Sequence, residues 1–240
     1  MRRAVMGGGV SVTYYGHSAF KLAGGGVEVA IDPWLSNPLL QTPVEKVGKV
    51  DVILVTHGHG DHVGETVPLA RKTGATVVAI HELYQIFTAR DLSTDQVIGM
   101  NKGGTVAVAG LKITMTQAVH SSTMEVGGKM VAAGEAGGFV VQFPNGFTVY
   151  HAGDTAVFKD MELIREIYHP ELALLPIGSH YVMSPQEAAL ACRLIKPKWV
   201  IPMHYATFPV LTGTPEALTV LLKDEPEIKV IALKPGKTVA

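Results

Sequence analysis

The segment VDVILVTHGHGDH, residues 50–62, is the stretch from which both a fold and a site can be predicted. Residues 50–56 form a short, mainly apolar and β-branched run, which is typical of a strand buried on both faces. This run ends at three histidines and one aspartate, His57, His59, Asp61 and His62. Because a strand end passes from a rigid scaffold into a loop, such side chains can converge there.

The four clustered side chains indicate a metal site. Imidazole suits zinc, copper, iron and nickel, and a carboxylate extends the range towards manganese. Gly58 and Gly60 allow the backbone to turn tightly, so that neighbouring side chains can point towards adjacent spots. The alternative is a solvated loop that happens to be rich in histidine, but with 10 histidines in 240 residues so dense a cluster rarely arises by chance.

More ligands are expected from elsewhere in the chain. A metal ion needs about four ligands, and four groups on one short loop rarely close around one ion. His120, Asp154 and His204 each follow a predicted strand in the second half of the sequence. Taken singly, each has a structural alternative: a packed histidine, or an aspartate that caps a helix.

Strands followed by helices occur twice along the chain, which favours two sheets packed face to face with helices outside. The sequence therefore predicts an α/β fold, a four-layer αββα sandwich, as one domain over residues 1–240, in which residues 1–9 are candidates for disorder. Residues 10–20 and 26–31 predict a strand hairpin. Further strands are predicted at 76–80, 105–109, 112–118, 139–143, 147–151, 172–176, 199–202 and 230–233, and helices at 64–73, at 81–92, from Ser184 and from Thr214.

Composition and charge argue against several classes of protein. The formal net charge is −1 and there is no basic run, so nucleic acid is not an expected partner. No apolar run is long enough to span a bilayer, and the first residues lack the apolar stretch of a signal peptide. Cys192 is the single cysteine and cannot form an internal disulfide, which favours a cytoplasmic location.

The order and spacing of the HxHxDH loop, a lone histidine, Gly-Asp-Thr and a late histidine resemble the metallo-β-lactamase superfamily. Shorter motifs resemble a branch of largely uncharacterised metal-dependent hydrolases that is similar to the ascorbate-6-phosphate lactonases. These motifs are Tyr15-Gly16-His17-Ser18, Asp32-Pro33-Trp34, His120-Ser121-Ser122 and Pro202-Met203-His204-Tyr205.

The resemblance implies two divalent metal ions, zinc by default and manganese or iron as alternatives. His57, His59 and His120 would hold one ion, Asp61, His62 and His204 the second, and Asp154 would bridge the two. Two such ions can share a water and lower its pKa towards about 7, which gives a hydroxide nucleophile. Asp61 would also orient that hydroxide.

Three further residues are candidates around the ions. Asp32 could accept a hydrogen bond from a ligand histidine and fix its tautomer, or it is a simple turn aspartate. His17 could support a ligand or contact the substrate, or it is a surface histidine. His180 could bind an anionic group or protonate a leaving group, although the branch often has Asp-Asn or Gly-Asn where this chain has Ser179-His180.

One segment and two single residues have a structural or dynamic interpretation. Residues 122–138 contain five glycines and few large apolar side chains, which favours a mobile loop over the site or, alternatively, a solvated connection. His151 is expected to pack at a strand end, and Cys192 to be inert core.

The leading functional hypothesis is a binuclear metal-dependent hydrolase that cleaves an ester, lactone or phosphodiester bond. Its substrate would be a small molecule, which can be anionic. The alternatives are a nucleic-acid-processing metallohydrolase and a non-catalytic metal-binding module. A mean hydropathy of +0.25 is compatible with a homo-oligomer.

Overall fold

The computed structural model describes residues 8–240. Its first half begins with three consecutive strands and continues with strands that alternate with helices. In chain order the elements are β1 (Val10–Gly16), β2 (Ala19–Gly24), β3 (Val27–Ile31), β4 (Val52–Leu54), α1 (Gly60–Val63), α2 (Thr66–Thr73), β5 (Thr76–Ile80), α3 (His81–Arg90) and β6 (Val97–Met100).

The second half begins with antiparallel strands and continues with strands that alternate with helices. Its elements are β7 (Thr105–Val108), β8 (Leu111–Gln117), β9 (Thr123–Val126), β10 (Lys129–Ala132), β11 (Gly137–Gln142), β12 (Thr148–His151), α4 (Met161–Tyr168), β13 (Leu172–Pro176), α5 (Pro185–Ile195), β14 (Trp199–Met203), α6 (Pro215–Leu221), β15 (Lys229–Val230) and β16 (Lys237–Val239).

The described strands form two seven-stranded sheets and one separate hairpin, β9–β10. The first sheet has the order β16-β1-β2-β3-β4-β5-β6, and the second has the order β15-β14-β13-β12-β11-β8-β7. β3, β4, β5 and β6 are parallel neighbours in the first sheet. β12, β13, β14 and β15 are parallel neighbours in the second. The carboxyl ends of parallel strands lie at one sheet edge, so loops that follow them come together.

The core lies between the two sheets. Along β12, Val149 joins the cluster shared with the first sheet, whereas Tyr150 joins the cluster under the helices. This alternation follows from the two-residue period of a strand. α2 and α3 pack against the first sheet, and α4, α5 and α6 cover the second. The predicted four-layer αββα sandwich is therefore confirmed.

The prediction of one strand at residues 10–20 is wrong in detail. The chain breaks there into β1 and β2, which pair with each other and not as one continuous strand. Gly16 and His17 adopt positive φ values of 103° and 54°, so the backbone turns at the position of the candidate histidine. The predicted hairpin partner, residues 26–31, pairs with β2 on one side and with β4 on the other, and not with β1.

The glycine-rich segment 122–138 is not an unstructured loop. Thr123–Val126 and Lys129–Ala132 form an antiparallel hairpin whose turn is Gly127-Gly128. Two adjacent glycines supply the positive φ values that a tight hairpin turn requires. Of the other three glycines of the segment, Gly137 and Gly138 lie in strand β11.

Other differences concern short elements. The sequence patterns missed β6, α4 and β16, and the strand predicted at 230–233 is limited to Lys229–Val230. Of the nine residues proposed as disordered, 1–7 lie outside the described residues, and the Gly8 carbonyl accepts a hydrogen bond from Asn145 Nδ2. Within residues 8–240, no helix is long and apolar enough to cross a bilayer.

Candidate metal centre

Five strands end at one edge of the sandwich, and each is followed by a residue of the candidate site. His57 follows β4, His120 follows β8, Asp154 follows β12 and His204 follows β14. Asp32 lies directly after β3. β3 and β4 belong to the first sheet and the other three strands to the second, so the centre lies where the edges of both sheets meet.

The predicted ligand atoms fall into three overlapping groups. In each group, every ligand atom lies within 4.8 Å of the others. The groups are His57, His59 and His120; His57, His62 and Asp154; and His17, Asp61, His62 and His204. The structure therefore brings together all seven residues that the sequence suggested as ligands, and it adds His17 to them.

Asp154 lies between the histidines of the two sides. Its Oδ2 atom is 3.3 Å from His62 Nε2, 3.0 Å from His204 Nε2 and 3.6 Å from His120 Nε2. The residue is 2 % exposed, and its Oδ1 atom has no hydrogen-bond partner among the described residues. A buried carboxylate in contact with three imidazoles has the position expected of a group shared by two cations.

Asp32 and Thr56 orient two of the histidines. The Asp32 carboxylate accepts hydrogen bonds from the Thr56 amide (2.8 Å), the Thr56 hydroxyl (2.7 Å) and His62 Nδ1 (2.7 Å). Because the Thr56 hydroxyl donates to Asp32, it accepts from His57 Nδ1, at 3.0 Å. Both histidines then carry their proton on Nδ1 and present the Nε2 lone pair to the centre.

His17 connects a distant threonine to Asp61. Its Nε2 atom lies 3.0 Å from Asp61 Oδ2, and its Nδ1 atom lies 2.9 Å from Thr207 Oγ1. Burial lowers the pKa of His17 to about 4, so the ring is neutral and donates from Nε2 to Asp61 while accepting from the Thr207 hydroxyl. The surface-histidine alternative is wrong, because His17 is fully buried.

Burial and mutual charge shift the pKa values of the centre in opposite directions. Burial lowers the pKa of His57, His59 and His120. Burial also lowers the pKa of His62, but the carboxylates of Asp154 and Asp32 outweigh it and raise that pKa well above its ordinary value. These carboxylates therefore favour positive charge, from a proton or a cation, beside Asp154.

The donor atoms fit a pair of divalent cations. His62 Nε2, Asp154 Oδ1 and His204 Nδ1 are buried without a hydrogen-bond partner among the described residues, and an unsatisfied buried polar atom is costly. His57 Nε2 lies 3.0 Å from His59 Nδ1. The set of imidazoles and carboxylates suits zinc, iron or manganese.

A cavity of about 330 Å³ opens onto the centre. Tyr181, whose residue is 55 % exposed, lies in its wall, and sequence reasoning did not single it out. Ser179 and His180 before it both have positive φ values, 63° and 57°, which non-glycine residues seldom adopt. The cavity wall consists of His59, Asp61, His120, Ser121, Asp154, Tyr181 and His204.

The structure does not bring His180 into that wall. Its ring packs edge-on against the ring of Tyr181, with centroids 4.4 Å apart. His180 was a candidate because it follows a predicted strand. That argument applies equally to Tyr181, which is the next residue of the same turn. The side chain in the cavity wall is that of Tyr181.

Two residues expected to be structural are buried away from the ligand groups. His151 Nε2 donates to the Ser18 carbonyl at 3.1 Å, and His151 Nδ1 accepts from the Gly153 amide at 3.1 Å. Burial raises the pKa of the Cys192 thiol to about 12, so the thiolate that reacts with electrophiles is scarce at neutral pH.

Comparison with known proteins gives consistent matches. A family described as the beta-lactamase superfamily domain matches residues 28–205. A UPF0173 metal-dependent hydrolase of Chloroflexus aurantiacus is 46 % identical over 242 residues, which cover 99 % of this chain and 100 % of the relative. One from Rubrobacter xylanophilus is 48 % identical over 96 % of each chain.

A solved structure extends the similarity to three dimensions. Igni18, described as a novel metallo hydrolase from the hyperthermophilic archaeon Ignicoccus hospitalis, superposes with a TM-score of 0.87 at 42 % identity. The match covers 96 % of this chain and 97 % of Igni18. The similarity therefore includes both sheets and the edge at which the candidate ligands meet.

Proposed function

The chain belongs to the metal-dependent hydrolases of the beta-lactamase superfamily, and we propose that it uses two divalent ions to cleave an ester, lactone or phosphodiester bond in a small molecule. The observation that carries this proposal is the contact of Asp154 Oδ2 with three imidazole nitrogens at 3.0, 3.3 and 3.6 Å. A single cation needs about four ligands, whereas seven candidate ligand side chains meet here in overlapping groups.

We assign the ligands as two sets that share one residue. His57, His59 and His120 would hold one ion, and Asp61, His62 and His204 the other, with Asp154 common to both. Ions held in this way supply Lewis acidity and a hydroxide nucleophile at neutral pH. Zinc is the default identity, with manganese or iron as alternatives.

The protein's own residues would orient the reaction. Asp61 accepts a hydrogen bond from His17 and lines the cavity, so it is placed to hold a nucleophilic water by its carboxylate. The phenol of Tyr181 lies in the wall of the same cavity and can donate a hydrogen bond to a substrate oxygen. We place the leaving-group contact at Tyr181 instead of His180 for this reason.

The size and charge of the cavity favour a small molecule. A volume of about 330 Å³ is near the lower limit for small-ligand sites. No lysine or arginine is among the described residues of its wall, although nucleic-acid sites depend on such side chains. A cytoplasmic location and a homo-oligomeric state stay predictions.

The proposal is tested by metal analysis together with a hydrolase panel. We expect about two equivalents of metal per chain and turnover of at least one lactone, ester or phosphodiester. Asp154→Ala should lose most of the bound metal and lower kcat/KM by at least 10³-fold, because the shared carboxylate holds both ions. The matched control is His81→Ala, which removes an exposed histidine outside the centre.

Three outcomes would overturn the proposal. Full turnover by Asp154→Ala would show that the centre does not perform the reaction. Tight, salt-dependent RNA binding with RNA cleavage would favour the nucleic-acid alternative. Two bound metals without turnover of any panel member would favour the non-catalytic alternative.

A further inference from the structure

The metal-centre cavity has a neighbour on the far side of His59. A second cavity, of about 280 Å³, lies between helix α1 and the hairpin β9–β10. His59 lines both cavities, so the second cavity lies directly beside the metal centre. Val63, Met124 and Met130 supply its apolar walls.

The hairpin is fixed to the loop that carries His57 and His59. The Gly58 amide donates to Ser122 Oγ at 3.1 Å, and that hydroxyl donates to the Ala133 carbonyl at 3.0 Å. A Cβ atom at position 58 would lie only 2.5 Å from Ala133 Cβ. The wall of the second cavity is therefore held at a constant position relative to the ligand histidines.

The chemistry of this wall is apolar with one negative charge. Met130 is 65 % exposed and lines the second cavity, so its side chain is accessible to a ligand there. Its cross-strand partner is Glu125, and directly paired residues of two strands share one face. An anionic group would be repelled there, and no lysine or arginine is among the described residues of the wall.

We infer that the second cavity binds an uncharged apolar substituent of the substrate, beside the bond that is cleaved at the metal centre. This inference rests on the proposed function, because it needs a substrate at the centre. The volume is below that of typical whole-ligand sites, so it accommodates a short alkyl or aryl group. Methionine side chains adapt to such groups because they are flexible and polarisable.

The first test measures chain-length dependence with the bond type that the hydrolase panel identifies. Substrates with unbranched alkyl substituents of one to six carbons should show a two- to fourfold rise in kcat/KM for each added methylene, as expected for partial to full burial. Met130→Gln should flatten this dependence. Leu163→Gln, which changes an exposed apolar residue on α4, is the matched control and should retain it.

The second test needs no turnover. Protein labelled with ¹³C on the methionine methyl groups is titrated with hexanoate and with adipate, and the Met130 signal is assigned from Met130→Gln. We expect hexanoate to shift this signal saturably, and adipate, with a second carboxylate at its far end, to bind at least tenfold more weakly.

The two tests separate failure of the inference from failure of the proposed function. A flat chain-length dependence, an unshifted Met130 signal with hexanoate, or equal binding of adipate would overturn the apolar subsite. Absence of turnover across the whole panel would overturn the proposed function, and the methyl titration would then still decide whether the cavity binds an alkyl chain.

Discussion

Asp32 shows how one buried side chain can determine the orientation of others. Its carboxylate accepts from His62 directly and holds the Thr56 hydroxyl that in turn contacts His57. Its own backbone has a φ of 45°, a strained value that surrounding hydrogen bonds must maintain. Neither histidine would otherwise have a fixed tautomer.

Asp32→Asn is expected to weaken metal binding 10- to 100-fold, the usual effect of removing a group that orients a ligand histidine. The amide cannot accept from three donors with the strength of a carboxylate. Competition with a chromophoric chelator measures the affinity. An unchanged affinity, with circular dichroism showing a folded variant, would mean that Asp32 serves only the turn after β3.

The convergence of the candidate ligands could be predicted because four of them lie in one short segment, His57, His59, Asp61 and His62. Thr56, Thr207 and Tyr181 could not be predicted in the same way. Thr207 acts on His17 across 190 positions, and such a contact leaves no local pattern. Tyr181 is adjacent to His180 in a turn with positive φ values, and no local sequence pattern indicates which of the two residues lines the cavity.

Helix α5 shows that the start of a helix could be predicted from its capping residues. Ser184, Pro185 and Glu187 form a capping box with proline in the first turn, and both reciprocal hydrogen bonds are present. A continuous apolar, β-branched run such as Thr76–Ile80, which is buried over four of its five residues, was also predicted with correct limits. β16 and β6 could not be predicted, because three or four residues carry too little periodicity.

Ser184→Ala should lower the free energy of unfolding by about 1 kcal/mol, the typical contribution of a helix N-cap. The corresponding decrease in Tm is about 3 °C for a chain of this length. Differential scanning calorimetry measures it. Ser93→Ala, at an exposed serine whose side chain caps no helix, is the control, and equal Tm values for both variants would show that the cap contributes nothing.

At the scale of the whole molecule, buried histidines couple stability to pH. His17, His57 and His151 have pKa values lowered by burial, whereas in the unfolded chain they titrate near 6.5. Below pH 6.5 the unfolded state therefore binds more protons, and stability falls with pH. The pKa of His62 is raised, because the carboxylates of Asp154 and Asp32 outweigh the effect of burial. His62 therefore has the opposite effect and adds stability as the pH falls.

The metal-free protein should therefore lose stability as the pH falls from 7 to 5, because the histidines whose pKa is lowered, which also include His59 and His120, outnumber His62. Each neutral buried histidine contributes up to about 1.4 kcal/mol per pH unit. Thermal melts after chelation measure the effect, and His151→Gln should reduce the slope. A Tm that stays constant or rises on acidification would contradict the assignment of neutral buried histidines.

The strand β16 comes from the end of the second half, yet it pairs with β1 at the edge of the first sheet, with Val12 opposite Val239. A polypeptide cut between β6 and β7 would thus yield two pieces. The second piece would contain β16, the edge strand that completes the sheet of the first piece. The ligands would also be divided, four on one piece and three on the other. Association of the two pieces would restore both the β1–β16 hydrogen bonds and the complete set of candidate ligands. Reassembly and metal binding would therefore be one coupled equilibrium.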